Sequence, residues 1–160
     1  MNKNIIILLG QPGVGKTTFG NRLKTENIDY FSSGESLVAN GELKKYMNCK
    51  TNDNLIKLEK IAYNLIDNKC QEFKDNDNSI LILDCIKELN HGYRLISLLK
   101  KYQFSNIITI YLIRKNIKYT DNIYLKRLQK WENSKLSLLK LFSKFNKLYE
   151  FILWNDDEIL

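Results

Sequence analysis

Eight residues near the amino terminus have the types and the spacing of a phosphate-binding loop. They are Gly10-Gln11-Pro12-Gly13-Val14-Gly15-Lys16-Thr17, which match the pattern G-x-x-x-x-G-K-T. The glycines permit backbone angles that turn successive amide N–H groups toward a β-phosphate, and the lysine adds a mobile positive charge. The motif therefore predicts binding of a nucleoside triphosphate. The predicted nucleotide-binding residues are Gly10, Pro12, Gly13, Val14, Gly15, Lys16, Thr17 and Thr18.

A second chemical feature is the carboxylate of Asp84, which ends an apolar run that starts at Ile80. A buried strand that ends in an aspartate places this carboxylate beside a loop of this type, where it can hold a water molecule of Mg²⁺. The Thr17 hydroxyl is a suitable direct ligand for the same ion. We therefore predict Thr17 and Asp84 as the metal-binding pair. The alternative is that Asp84 only caps the end of its strand.

Five short apolar segments predict strands, and the segments between them predict helices. Strands that alternate with helices imply crossover connections and a parallel sheet, and ligands bind at the carboxyl ends of such strands. The loop, a capping box at residues 32–35 and Asp84 all follow strands, so we expect them at one edge of the sheet. The predicted strands are residues 4–9, 28–31, 79–84, 107–113 and 150–154, and the predicted helices are residues 16–23, 32–40, 41–47, 54–73, about 95–99 and about 120–145.

The two longest helical segments show apolar residues at three- and four-residue steps, as amphipathic helices do. In residues 54–73 the stripe consists of Leu55, Leu58, Ile61, Ala62, Leu65 and Ile66. In residues 120–145 it consists of Leu125, Leu128, Trp131, Leu136, Leu139, Phe142 and Phe145. Tyrosines at 111, 119 and 124 are expected to pack in the core or at its rim, and the alternative is that they stack on nucleic-acid bases.

The composition is that of a single folded domain, which we place at residues 1–160. The chain has 160 residues, of which 44% are hydrophobic and 27% are charged, and this excludes a disordered tail or a fibre. The net charge of +7 arises in residues 100–147, which hold 12 basic and two acidic side chains. Such a segment favours a polyanionic ligand, either a nucleoside triphosphate or a nucleic-acid backbone. Lysine outnumbers arginine 21 to 4, which disfavours sequence-specific nucleic-acid recognition.

The cysteines and the length of the apolar runs indicate the cellular compartment of the protein. Cys49, Cys70 and Cys85 are too widely spaced for a zinc site or a disulfide framework, so we expect reduced, mostly buried thiols. The apolar runs are too short for a membrane span, and the first one is too short for a signal peptide. We expect a cytoplasmic, monomeric protein without a membrane partner.

Taken together, these residues resemble the adenylate kinase branch of the nucleoside monophosphate kinases. That family has a G-x-P-G-x-G-K-x-T loop, which residues 10–18 resemble, and an S-T-G-D-x-L-R segment, which is similar to residues 32–38. The family's D-G-F-P-R stretch begins where Asp84 stands. Its R-x-D-D and K-R-L motifs are approximated by residues 118–121 and 126–128. The resemblance is tight over the first 47 residues and loose afterward.

The resemblance implies a three-layer α/β/α P-loop kinase fold with a five-stranded parallel sheet in the order 2-3-1-4-5. It also implies transfer of the γ-phosphoryl group of ATP to a nucleoside monophosphate or a similar small acceptor, with Mg²⁺. Residues 32–73 would form a helical insertion around the acceptor. By this resemblance the catalytic residues are Lys16, Asp84, Arg114 and Arg127, and the acceptor-binding residues are Ser33, Gly34, Glu35, Lys87 and Lys118.

The chain also departs from the family pattern. Val38 stands where the family has an arginine, and residues 85–88 replace G-F-P-R, so both arginines that grip the acceptor are missing. Lys87, Arg94 or Lys44 could substitute for them. The mobile lid is absent or reduced to a stub at about residues 114–120. These departures leave two alternatives, namely a noncatalytic nucleotide-binding module with a basic partner-binding helix, and a nucleic-acid binder or polynucleotide-end kinase. No N-K-x-D guanine motif is present, which disfavours a GTPase.

Overall fold

The computed structural model describes residues 2–47, 51–115 and 122–153, and its centre is one parallel β-sheet of five strands. The strand order is β2-β3-β1-β4-β5, and every pair of neighbours is parallel. This confirms the predicted fold class and strand order. The strands are β1 (Asn4–Gly10), β2 (Ile28–Ser32), β3 (Ile80–Asp84), β4 (Asn106–Arg114) and β5 (Lys147–Leu153).

Helices cover both faces of the sheet, but unequally. Helix α1 packs on β1, β2 and β3 over a small core of Leu8, Tyr30 and Ile82. The three long helices α4, α5 and α6 cover the opposite face, where most of the apolar core lies. The helices are α1 (Lys16–Leu23), α2 (Ser33–Ala39), α3 (Glu42–Met47), α4 (Asn52–Asp75), α5 (Leu89–Tyr102) and α6 (Asn122–Phe145).

The central strand is β1, and its sequence explains its place. Ile7, Leu8 and Leu9 are fully buried, and consecutive burial requires cover on both faces of the sheet. Its neighbours β3 and β4 are equally apolar, and they pair along its length, with Ile5 opposite both Leu81 and Ile107. The chain therefore leaves the middle of the sheet at Gly10, directly into the glycine-rich loop.

Residues 32–73 were predicted as a helical insertion, and three helices do lie between β2 and β3. The Ser32 side chain accepts a hydrogen bond from the Glu35 backbone N–H at 3.3 Å, so it caps α2 as the sequence predicts. Thr51 caps α4 in the same way through Asn54. The crossover from β2 to β3 is therefore long and almost wholly helical.

Part of the predicted apolar stripes is wrong. In α6, Trp131, Leu138 and Phe142 are buried, whereas Leu136 is 71% exposed and Leu125 is also exposed. The buried positions are spaced by seven and four residues, and at about 100° per residue Leu125 and Leu136 fall away from that line. In α4, Leu55 shares the face of the buried residues Leu58, Ile66, Cys70 and Phe73, but it is exposed in the first turn of the helix.

Other details of the predicted elements are also settled. The last strand starts at Lys147 rather than at residue 150, and Trp154 lies outside the described residues. Tyr111 is buried and packs against Trp131, with ring centroids 6.1 Å apart, so it does not offer its face to a base.

Cys70 and Cys85 are free and buried as predicted, and Cys49 lies outside the described ranges. Across the part of the chain that the structure describes, no helix has the length and apolar character to cross a bilayer.

Candidate functional site

The loop at residues 10–17 lies at the carboxyl end of β1, and its shape depends on its glycines. Gly13 and Gly15 have φ angles of 80° and 102°, in the region that side chains disfavour. A Cβ on Gly10 would lie 2.8 Å from Val14 Cγ1 and 3.1 Å from the Leu112 carbonyl oxygen, so the loop passes close to β4. The backbone therefore curls tightly around the start of α1, as a phosphate cradle requires.

The first turn of α1 is left open to an anion. Gly15 is the N-cap residue, and as a glycine it has no side chain with which to cap the first N–H groups of the helix. Unpaired N–H groups and the helix dipole together favour a negative charge at such an end. Lys16 lies within the loop, and its Nζ donates to the Gly10 carbonyl oxygen at 2.9 Å. Thr17 and Thr18 are exposed at the helix start.

Arg114 ends β4 and lies against the other side of the loop. The side chain is buried, and its Nε donates to the Val14 carbonyl oxygen at 3.2 Å. Val14 is itself fully buried, so this contact anchors the turn of the loop to the sheet. The structure thus places Arg114 at the loop backbone. Its predicted clamp on a transferred phosphoryl group stays a prediction.

Asp84 ends β3, the strand next to β1, and a tyrosine from β2 donates a hydrogen bond to its carboxylate. The Tyr30 hydroxyl donates to Asp84 Oδ2 at 2.9 Å, and the Thr17 side chain lies near the same phenol. Burial, and then the charge of Asp84, raise the pKa of Tyr30 well above its ordinary value of 10.0, so the phenol keeps its proton. Asp84 is therefore held by a hydroxyl group that lies beside Thr17.

This arrangement fits a magnesium ion. A carboxylate and a hydroxyl are the oxygen donors that Mg²⁺ prefers, and Mg²⁺ retains several water molecules when it binds beside phosphates. Thr17 and Asp84 both lie near the Tyr30 hydroxyl, so the two predicted ligands are neighbours at this edge of the sheet. Their binding of Mg²⁺ stays a prediction, and the sequence analysis assigned no role to Tyr30.

The acceptor-side residues meet beside this pair. Ser33 is buried at the start of α2 and lies beside Cys85, so α2 packs against the segment after β3. A Cβ on Gly34 would lie 3.5 Å from Lys87 Nζ, so the ammonium group sits over the first turn of α2. Glu35 is exposed on the same turn. The predicted acceptor residues Ser33, Gly34, Glu35 and Lys87 are thus neighbours, and Lys118 lies outside the described residues.

Positive charges from three elements converge here. The pKa of Lys87 is lowered by burial of its ammonium group and then by the nearby Arg127, while Asp84 opposes the shift. The pKa of Lys16 is also lowered, first by burial, with Asp84 opposing and Lys87 adding to the shift. The site therefore combines three positive charges with the carboxylate of Asp84; the charges belong to Lys16, Lys87 and Arg127. Such a positive region is suited to a ligand with several negative charges.

Burial raises the pKa of the Cys85 thiol, and the Asp84 charge adds to this shift. A thiol that keeps its proton is a poor nucleophile. Cys85 therefore serves packing at this edge of the sheet rather than chemistry.

A cluster of Glu59, Glu88 and His91 lies at the start of α5, with possible ligand atoms within 4.8 Å of one another. Each group already has a protein partner. His91 Nδ1 accepts from the Lys87 backbone N–H at 3.2 Å, and Arg94 pairs with Glu59 at 2.9 Å. Lys130 pairs with Glu88 at 3.6 Å. The cluster therefore ties the start of α5 to α4 and α6, and Arg94 is engaged there rather than at the acceptor residues.

Two residues at this edge have no local sequence signal of a functional role. Tyr30 looks like an ordinary strand residue, and His91 looks like an isolated histidine in an amphipathic helix. The available signal for Tyr30 was Gly20, because a helical glycine beside a predicted sheet indicates close approach of a bulky side chain. The expected lid stub at about residues 114–120 cannot be described beyond Arg114 and Lys115, since residues 116–121 lie outside the described ranges.

A glycine-rich loop between β1 and α1, at the edge of a parallel sheet with this strand order, defines a P-loop kinase-like α/β fold. A similar solved structure is that of a putative kinase from Chloroflexus aurantiacus J-10-fl, with a TM-score of 0.57 and 13% sequence identity. The match covers 95% of this chain and 89% of that chain. No protein-family model matches the sequence, and no curated protein matches it either. At this level of identity the likeness establishes the fold.

Proposed function

We propose that this protein is an ATP- and Mg²⁺-dependent phosphotransferase that acts on a small, phosphate-bearing acceptor such as a nucleoside monophosphate. The observation that carries the proposal is the juxtaposition of the glycine loop with Lys16, Asp84 and Lys87 at one edge of the sheet. The name of the structural neighbour, a putative kinase, is consistent with this class of reaction.

In this proposal, the loop amides and the start of α1 bind the β-phosphate of ATP, and Lys16 leaves the Gly10 carbonyl to contact the β- and γ-phosphates. Thr17 and Asp84 would hold Mg²⁺, Asp84 through a water molecule, and the ion would neutralise charge on the transferred group. Arg127 and Lys87 approach from α6 and from the end of β3. Catalysis would consist of positioning and charge neutralisation, since phosphoryl transfer needs little covalent chemistry from the protein.

The acceptor would lie over the first turn of α2, where Lys87 Nζ faces Gly34. Lys87 thus offers one cation where the related kinases use two arginines, and the exposed Val38 offers none. The acceptor site therefore has one cation fewer than in those kinases. Because a charge-assisted hydrogen bond contributes about 1.5–3 kcal/mol, this net loss would weaken acceptor binding roughly 10- to 100-fold. We therefore expect a weak or unusual acceptor rather than tight binding of AMP.

A direct test is transfer of labelled γ-phosphate from ATP to a panel of nucleoside monophosphates, nucleosides and sugar phosphates. We expect at least one phosphorylated acceptor to be labelled, with turnover lost in Lys16→Ala and kept in Lys24→Ala. Lys24 is a matched control because it lies at the end of the same helix, exposed and 3.9 Å from Asp29. ATP binding without transfer to any acceptor would instead favour the noncatalytic nucleotide-binding module.

The missing acceptor arginines are the observation that favours this second candidate. A protein of that kind would bind ATP in the loop, and the basic surface of α6 would contact a partner. The same Lys16→Ala variant would then lose ATP binding, while no acceptor would increase ADP release. Binding of nucleic acid or action on a polynucleotide end stays an alternative prediction, with residues 100–147 as its surface.

A further inference from the structure

We propose that Tyr30 is a positioning residue for the metal site, holding Asp84 in place beside Thr17 so that Mg²⁺ can strengthen nucleotide binding. The inference rests on the proposed function, and it assigns a role to a residue outside the loop motif. The Tyr30 hydroxyl donates to Asp84 Oδ2 at 2.9 Å, and the Thr17 side chain lies near the same phenol. The phenol thereby connects β2 with the end of β3 beside the first turn of α1.

The tyrosine ring is fixed in position by packing. Tyr30 is only 8% exposed and lies in a small core with Leu8 and Ile82 beneath α1. A Cβ on Gly20 would lie 2.2 Å from two ring atoms, so α1 approaches the ring as closely as a glycine allows. Because the ring cannot shift toward α1, the hydroxyl position is set by the fold rather than by the ligand.

The hydrogen bond acts on the orientation of the carboxylate. Asp84 has two oxygens, and the contact with Tyr30 engages Oδ2, which leaves Oδ1 for other partners. Without the phenol, the carboxylate could turn toward Lys16 or Lys87, whose ammonium groups lie within its electrostatic reach. Such a contact would place a lysine where the hydrated ion should bind. Tyr30 therefore keeps the carboxylate separate from the two lysines that serve the phosphates.

The chain offers a matched control for this contact. The Tyr102 hydroxyl also donates to a carboxylate, that of Asp67, and Tyr102 is likewise 8% exposed. It lies at the end of α5, near Lys3 and Phe104, at the opposite edge of the sheet. Tyr102→Phe therefore removes the same kind of hydrogen bond without touching the loop.

The test is calorimetric titration of ATP into wild type, Tyr30→Phe and Tyr102→Phe, with millimolar Mg²⁺ and then with a chelator. The quantity compared is the factor by which Mg²⁺ tightens ATP binding. We expect this factor to fall about tenfold or more in Tyr30→Phe, as loss of a contact to a charged group implies, and to be unchanged in Tyr102→Phe. Affinity in chelator should change less than about twofold in both variants, because Phe keeps the ring packing.

The outcomes separate the inference from the proposed function. If Mg²⁺ tightens ATP binding equally in wild type and Tyr30→Phe, the positioning role is overturned while the proposed function stands. If Tyr30→Phe weakens ATP binding by the same factor with and without Mg²⁺, the hydroxyl only supports the loop, and the inference is also overturned. If wild type itself binds no ATP, the proposed function fails first and the inference fails with it.

Discussion

Lys16 and Lys87 illustrate how individual residues set the electrostatics of the site. Each ammonium group is partly withdrawn from water, and each lies near other positive charges, which lowers both pKa values from the ordinary 10.5. A polyphosphate binds the charged form of a lysine. The affinity of the protein for ATP should therefore be highest at pH values below the lowered pKa and should fall as the pH rises through that value. We expect the loss to begin at a lower pH than an ordinary lysine would give.

A substitution separates the contribution of Lys87 from that of burial. Lys87→Met removes a positive charge that lowers the pKa of Lys16, so the alkaline loss of ATP affinity should move to higher pH. Calorimetric ATP affinities measured from pH 7 to pH 10 would show the shift, with Lys24→Met as the control that should not move. An unchanged profile in Lys87→Met would mean that Lys87 does not share the field of Lys16.

At the scale of elements, the contact of α1 with β2 determines whether the loop is held in place. Helix α1 has only eight residues and buries little besides Gly20, so its position depends on how closely it approaches Tyr30. Isolated helices of this length are not stable in water, and tertiary packing must hold them. The nucleotide loop is therefore supported by a glycine that lies outside the loop motif.

Two glycine substitutions test this dependence. In Gly20→Ala the new methyl group would lie 2.2 Å from the Tyr30 ring, and we expect a loss of about 2 kcal/mol in unfolding free energy together with weaker ATP binding. In Gly92→Ala the methyl group meets the flexible ends of Leu138 and Leu141 on α6, so the loss should be smaller and ATP binding unchanged. Urea unfolding and ATP titration measure both quantities. Equal effects of the two substitutions would contradict the role given to α1.

The elements also show what the sequence could and could not predict. The loop and the buried strands were predictable, because a glycine motif and a continuous apolar run are local signals. The link between Tyr30 and Asp84 joins residues 54 positions apart, and no local pattern encodes such a contact. The buried face of α6 was partly mispredicted, because Leu125 and Leu136 were expected to be buried and are exposed. The missing information was tertiary in each case.

At the scale of the whole molecule, the positive charge lies along one helix. Lys126, Lys130, Lys140 and Lys144 are exposed on α6 at spacings of four, ten and four residues, which place them on one side of the helix. The amino-terminal part of this helix reaches the site, since Arg127 and Lys130 both lower the pKa of Lys87. The arrangement should concentrate anions near the nucleotide loop, and salt should weaken this effect.

Helices cover the two faces of the sheet unevenly, which leaves aromatic side chains of β5 exposed on one face. Tyr149 and Phe151 of β5 are about half exposed on the side of α1, where Phe151 meets only Phe19 among aromatic rings of the described residues, with centroids 5.6 Å apart. The three long helices cover the opposite face over all the central strands. Tyr30 and the nucleotide loop therefore lie on the less covered face of the sheet, where the small core beneath α1 supports them.

The most direct measurement of the central claim is calorimetric titration of ATP at millimolar Mg²⁺ into wild type, Lys16→Ala and Lys24→Ala. The claim is that the loop after β1 holds a triphosphate. We expect saturable binding at one site in wild type and Lys24→Ala, and affinity about 10- to 100-fold weaker in Lys16→Ala, because one charge-assisted contact is lost. Absence of saturable binding in wild type, or equal affinity in Lys16→Ala, would contradict the account.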